Sequence, residues 1–160
     1  MNKQVSKLFL MSCFVLVFLA GTSVMVKQVM VEGQPTNQTE RIVADTSEEK
    51  ANLERFDKLD FEAWNNRNWT LFSEIHAQDV LVSDMTGNVT KGLDQHLQWA
   101  KNVVAFQPES KIISHPIKIA AGNWTAVTGL LPGNMTMLTL AHWENGKITE
   151  EYLFSQMPSQ

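Results

Sequence analysis

Apolar positions change their spacing along the chain, and each change marks an element. Leu8 to Ala20 (LFLMSCFVLVFLA) is almost unbroken apolar, whereas Val31 to Asp45 is polar, contains Pro35 and shows no period. Thr46, with Glu49 three residues on, forms a capping box. Behind it Leu53, Phe56, Leu59/Asp60 and Ala63/Trp64 recur at helical spacing, which predicts an amphipathic helix over 47–66. Asn68 caps a shorter helix running to His76, with Trp69, Phe72 and Ile75/His76 on one face. Asp79–Met85 is a β-branched run closed by Thr86-Gly87-Asn88, hence a strand and a turn. After Gly92, the stripe Leu93, His96, Leu97, Ala100, Val103 and Val104 predicts a third helix, stopped by Gln107-Pro108. Strand texture then runs to the end, in segments 111–120, 123–130, 135–143 and 147–156, and Asn145-Gly146 is a two-residue hairpin signal. Helices followed by a run of antiparallel strands predict an α+β fold, with helices covering one face of a curved sheet around a conical pocket.

The apolar run near the start follows Lys3 and Lys7 and precedes Gly21-Thr22-Ser23, the layout of a secretory signal peptide. Left uncleaved and extended through Val24-Met25-Val26, it is long enough for a signal anchor. Residues 1–23 are therefore read as signal peptide or anchor, 24–46 as a flexible tether and 47–157 as the domain. Either outcome exports the domain, secreted or periplasmic in one case and membrane-anchored outside in the other. Membrane contact is expected only through that N-terminal segment.

Charge and cysteine content narrow the function. Net charge is −4 for 160 residues, but residues 34–160 hold ten bases against sixteen acids. A domain this acidic has no electrostatic footprint for nucleic acid. The sole cysteine, Cys13, lies in the leader, so the domain has no thiol for a disulfide or a thiolate nucleophile. No H-x-H or H-E-x-x-H spacing, no glycine-rich phosphate loop and no serine or cysteine nucleophile signature occurs, so neither metal nor cofactor is expected. Five Asn-x-Thr sequons, at Asn37, Asn68, Asn88, Asn123 and Asn134, mark either a glycosylated secreted protein or the ordinary use of Asn and Thr in caps and turns.

The strings Ile75-His76-Ala77-Gln78-Asp79-Val80 and Gly87-Asn88-Val89-Thr90-Lys91-Gly92-Leu93-Asp94 are similar to segments of the SnoaL-like polyketide cyclase branch of the nuclear transport factor 2-like superfamily. So are Gly122-Asn123-Trp124-Thr125-Ala126-Val127 and His142-Trp143-Glu144-Asn145-Gly146-Lys147-Ile148-Thr149-Glu150-Glu151-Tyr152. The resemblance covers roughly residues 50–156. It implies a cone-shaped α+β barrel, three N-terminal helices on a curved, mostly antiparallel sheet, with an apolar pocket and a homodimer through the sheet. Its members are cyclases, dehydratases, isomerases, hydrolases and non-catalytic binding domains, so fold does not fix function. Two departures stand out. Only Leu131-Pro132-Gly133-Asn134 joins two strands where many relatives carry a longer hairpin, and Leu153 to Gln156 hold no counterpart of the aspartate that serves the cyclases.

Candidate chemistry follows from the hairpin and the helix faces. Regular pairing around Asn145-Gly146 sets Trp143 opposite Ile148, His142 opposite Thr149 and Leu140 opposite Glu151. His142 and Glu151 then share a face with Leu138, Leu140 and Leu153, as an acid/base pair or a surface pair. His96 lies on the apolar stripe of the third helix, which the resemblance sets near the pocket. His76 ends the second helix, near where relatives keep a His or Asp. Asp84 points inward or caps its turn, and His115, before Pro116, is expected in solvent. The candidate catalytic set is His142, Glu151, His96 and Asp84; the candidate ligand-binding set is His76, Trp64, Trp99, Trp143 and Tyr152. Two readings result. One is a domain that binds a small apolar molecule in its pocket. The other is a cofactor-free acid/base enzyme of cyclase, isomerase or dehydratase type acting on a small carbonyl compound.

Overall fold

The structure is a computed structural model and describes residues 40–156. The leader, Cys13, Asn37 and most of the stretch read as a tether lie outside the described residues. The N-terminal helix α1 (Ser47–Asp57) opens as expected: Thr46 accepts from Glu49 N, and the Glu49 side chain accepts from Thr46 N at 2.8 Å. Glu49 does more than cap. Its Oε2 also accepts from Asp45 N at 2.8 Å and its Oε1 from Gly122 N at 2.7 Å, tying the helix start to a distant turn. These backbone donors, Thr46 first, hold its carboxyl down at about 2.

The helix continues into a π-helical segment, Lys58–Trp64, in which Leu59, Asp60 and Ala63 are buried. A widened turn alters the helical phase and often marks a functional position. Here it buries the adjacent Leu59 and Asp60 together. Asn68 caps α2 (Trp69–Ile75) by accepting from Leu71 N. The strands are β1 (Arg41–Val43), β2 (His76–Ser83), β3 (Val89–Lys91), β4 (Ser114–Ala121), β5 (Trp124–Leu131), β6 (Met135–Glu144) and β7 (Lys147–Gln156), with α3 (Leu93–Phe106) between β3 and β4. Residues 41–43 were expected in the tether, but they pair in parallel with β4.

The seven strands form one sheet in the order β1-β4-β5-β6-β7-β2-β3. β4, β5, β6 and β7 are antiparallel neighbours, whereas β7 pairs in parallel with β2. Burial alternates along β2 and β5, as expected for strands with one face in the core. Leu53, Phe56, Leu59 and Ala63 from the first helix, Phe72 from α2 and Ala100 from α3 join Val80, Val82, Val127, Ala141, Trp143 and Ile148 in one core cluster. No helix among the described residues is long and apolar enough to cross a membrane.

The hairpin turn adopts positive φ at Asn145 (51°) and Gly146 (72°), as a tight two-residue connection requires. Trp143 opposes Ile148 as expected. The next pair is His142 with Glu150, then Ala141 with Glu151, so Thr149 is an extra residue in β7. That bulge overturns the expected shared face of His142 and Glu151. Thr149 stays on the side of His142, and from Glu150 onward every β7 side chain points to the face opposite the one regular pairing assigns.

A buried polar cluster beside a small cavity

Glu151, in register with Ala141 at the inner face, is buried at 5% exposure. Two imidazoles converge on it: His76 Nε2 at 3.4 Å and His96 Nε2 at 3.6 Å from its Oε2. His76 is placed by the α2–β2 junction, where its Nδ1 donates to the Phe72 carbonyl at 2.7 Å. His96 is placed by α3 and held between two rings, 5.2 Å from Phe72 and 5.3 Å from Trp99 by centroids. Burial pushes the His96 imidazole down to about 4, against the opposing pull of the Glu151 charge, so the ring is neutral near pH 7. Burial pushes the Glu151 carboxyl up, but His76 and then His96 outweigh it and hold it below the ordinary carboxylate range.

His96 and Glu151 border a cavity of about 110 Å³ walled by Phe56, Leu59, Trp64, Phe72, Val103 and Met137 among others. Drug-sized ligands need sites of roughly 300 Å³ or more, so this one suits a small molecule. Asp60, buried by the π-helical segment, opens onto the same cavity. Behind it stands His115, whose Nε2 lies 2.9 Å from Asp60 Oδ2 and whose Nδ1 lies 2.8 Å from Asp57 Oδ1. Lys118 Nζ donates to Asp57 at 2.8 Å. Burial opposes the charge on His115, but its two carboxylate partners raise it to about 9. Burial in turn pushes the Asp60 carboxyl up, against the pull of His115.

The structure disperses the remaining candidates. His142 faces the outer side of the sheet, where its Nδ1 lies 2.9 Å from Thr149 Oγ1 and its ring tilts on Trp124. Tyr152 is on that side too, 39% exposed and donating to Glu150. Neither reaches the cavity: His142 alternates with the buried Ala141 and Trp143 along β6, and the Thr149 bulge turns Tyr152 to that same outer side. Asp84 caps its turn, accepting from Thr86 N and Asn88 N, and also from Trp99 Nε1 at 3.2 Å. Burial raises its carboxyl, but the Thr86 and Asn88 donors outweigh this and lower it. Trp64 and Trp99 border the cavity. Trp143 instead fills the core at 2% exposure, donating to Thr125 Oγ1 at 2.9 Å.

His115 corrects a further expectation: it is 4% exposed rather than in solvent. Its carboxylate partners lie more than fifty residues away, so no local pattern displays them. Asp60 was legible only as a polar residue on the apolar stripe Phe56–Leu59–Ala63. That anomaly was the signal for it.

No protein-family model matches the sequence, and no curated protein matches it. The fold, however, recurs among solved structures. A SnoaL-like protein of unknown function from Burkholderia thailandensis is 13% identical, with a TM-score of 0.59 over 68% of this chain and 98% of that one. A nuclear transport factor 2-like protein of unknown function from Mesorhizobium loti is 13% identical, with a TM-score of 0.60 over 73% and 99%. IdmH of Streptomyces antibioticus, a proposed polyketide cyclase, is 18% identical, with a TM-score of 0.58 over 66% and 91%.

Proposed function

We propose that this chain, folded as SnoaL-like and nuclear transport factor 2-like proteins are, binds a small, largely apolar molecule in the cavity beside Glu151. The observation that carries this reading is the wall itself: aromatic and aliphatic side chains enclose a space into which only a few polar groups, Asp60, His96 and Glu151 among them, project. Ligand sites of small molecules have that composition. A cone-shaped barrel, with the three helices closing one side of the sheet, best accounts for such an enclosed space. The domain would act outside the cytoplasm, delivered by the signal-like segment 1–23.

A second reading, catalysis, is favoured by one specific arrangement. The carboxyl groups of Asp60 and Glu151 come from different elements and open onto one cavity, with His96 between apolar rings beside them. Positioned acids and an imidazole around a bound carbonyl compound are the equipment of proton transfer, as in an isomerase, dehydratase or cyclase. His142, on the outer face, has no part in this version.

The homodimer implied by the resemblance would use the outer face of the sheet. Ile117, Ile119, Trp124, Tyr152 and Phe154 are exposed there and lie in adjoining rows. Contiguous exposed apolar surface of this kind marks an interaction site.

A thermal-shift screen with small cyclic ketones, lactones and terpenoids tests the binding reading. A hit should raise the wild-type melting temperature by mass action. The same hit should leave Val103→Trp, which fills the cavity, unmoved. Equal shifts in both proteins would place the binding elsewhere.

A further inference from the structure

His76, His96 and Glu151 come from the α2–β2 junction, from α3 and from β7, and they are brought together only by the fold. Their ligand atoms lie within 4.8 Å of one another and all three side chains are buried. One atom in the group is unaccounted for. The Phe72 carbonyl can only accept, so the hydrogen in the 2.7 Å contact belongs to His76 Nδ1. The ring's other nitrogen is Nε2. That nitrogen is fully buried and makes no hydrogen bond, yet it faces Glu151 Oε2 at 3.4 Å. A buried nitrogen without a hydrogen bond, set against a carboxylate, is unfavourable unless a positive centre, a proton or a metal ion, lies between them.

We propose that His76 Nε2, His96 Nε2 and Glu151 Oε2 together bind one divalent transition-metal ion, with a coordination position open to the cavity. The spacing fits. With bonds of about 2.1 Å, neighbouring ligand atoms stand about 3.0 Å apart in an octahedral site and about 3.4 Å apart in a tetrahedral one. Here the two nitrogens stand 3.4 and 3.6 Å from the shared oxygen. Two imidazoles on one such ion have ring centroids roughly 4.6–5.3 Å apart, and those of His76 and His96 are 5.0 Å apart at 63°.

The outer contacts fit as well. A ligating histidine usually donates its other nitrogen to a carbonyl or similar acceptor, which fixes the ring. His76 does so to Phe72, and His96 Nδ1 has Thr90 Oγ1 at 3.4 Å. Two imidazoles and one carboxylate suit zinc, iron(II) or cobalt(II) rather than magnesium or calcium. Three protein ligands leave room for water or a ligand oxygen, and His96 and Glu151 border the cavity from which it would arrive. An ion there would draw the carbonyl or hydroxyl oxygen of the cavity's guest. That consequence rests on the small-molecule reading; the ion site itself does not.

The test uses the full chain stripped with chelator and titrated with zinc by calorimetry and with cobalt(II) by absorption. One ion per chain, the visible bands of a low-symmetry cobalt site, and a zinc-dependent rise in melting temperature are expected. His76→Gln, His96→Gln and Glu151→Gln should each weaken binding by about tenfold or more. His142→Gln, on the outer face, should bind as wild type does. Near-ultraviolet circular dichroism identifies any variant that fails to fold; a folded variant among the three is enough for the comparison. Should all three misfold, absorption of the cobalt-loaded wild type decides by itself, since imidazole ligation has its own spectrum. A folded wild type that binds no ion, or folded variants that bind it as tightly as wild type, overturns the proposal and leaves the triad a proton-sharing cluster. Metal binding without any small-molecule hit would sink the cavity reading alone.

Discussion

His115 holds Asp60 at 2.9 Å through one ring nitrogen while the other nitrogen engages Asp57, so a buried imidazolium backs a carboxyl of the cavity wall. Its ordinary value is 6.5 and the folded value is about 9. A group raised by folding stabilises fully below its unfolded pKa and loses that contribution as pH climbs through the folded one. Stability should therefore fall between about pH 6.5 and pH 9, by up to roughly 3 kcal/mol. Urea unfolding across that range reads it directly. His115→Gln should flatten the slope, and a flat wild-type profile would contradict the bridge.

At the other end of the first helix the sign reverses. Glu49, lowered to about 2 by backbone donors, contributes stability above its ordinary 4.5 that is lost as pH falls toward 2. Between about pH 4.5 and pH 2, stability read by urea unfolding should fall more steeply in wild type than in Glu49→Gln; an identical acid slope in the two proteins refutes the cap. Thr46→Ala should cost about 1 kcal/mol.

Trp143 contributes both volume and a hydrogen bond to the core. Trp143→Phe removes the bond and strands Thr125 Oγ1, which costs about 1–3 kcal/mol. Trp143→Ala should cost about 3–5 kcal/mol through the added void. Because this residue does not border the cavity, a folded Trp143→Phe should retain any small-molecule hit at wild-type affinity in calorimetry.

On the outer face, Ile119→Arg places a charge in the middle of the exposed apolar rows. If the proposed dimer uses that face, sedimentation velocity should show wild type as a dimer and the variant as a monomer. A wild type that sediments as a monomer at all concentrations removes the dimer.

Local chemistry was legible wherever a few neighbouring residues decide the outcome. The Thr46–Glu49 box, the Asn68 cap and the Asn145-Gly146 turn all stand where their residue types imply. What was not legible depends on a single residue out of phase or on distant partners. Thr149 carries no mark that distinguishes a bulged position from a paired one, yet it decides that Glu151 faces in, on the side opposite His142. The π-helical turn does the same for Asp60 within a stripe that otherwise reads as regular. Glu151 meets His76 across seventy-five positions of sequence, and a spacing rule for metal ligands has no access to such a pair.

The central place of β7 has a temporal consequence. β1, β4, β5 and β6 form one run of neighbours and β2 with β3 another, and only β7 joins the two runs. During synthesis β7 emerges from the ribosome after the other six strands, so until then the nascent chain holds two separate ribbons with no shared ladder. The residue on which both histidines converge arrives on that same strand. Closing the sheet and assembling the polar cluster are thus one late event, and a stalled chain ending before Lys147 has neither.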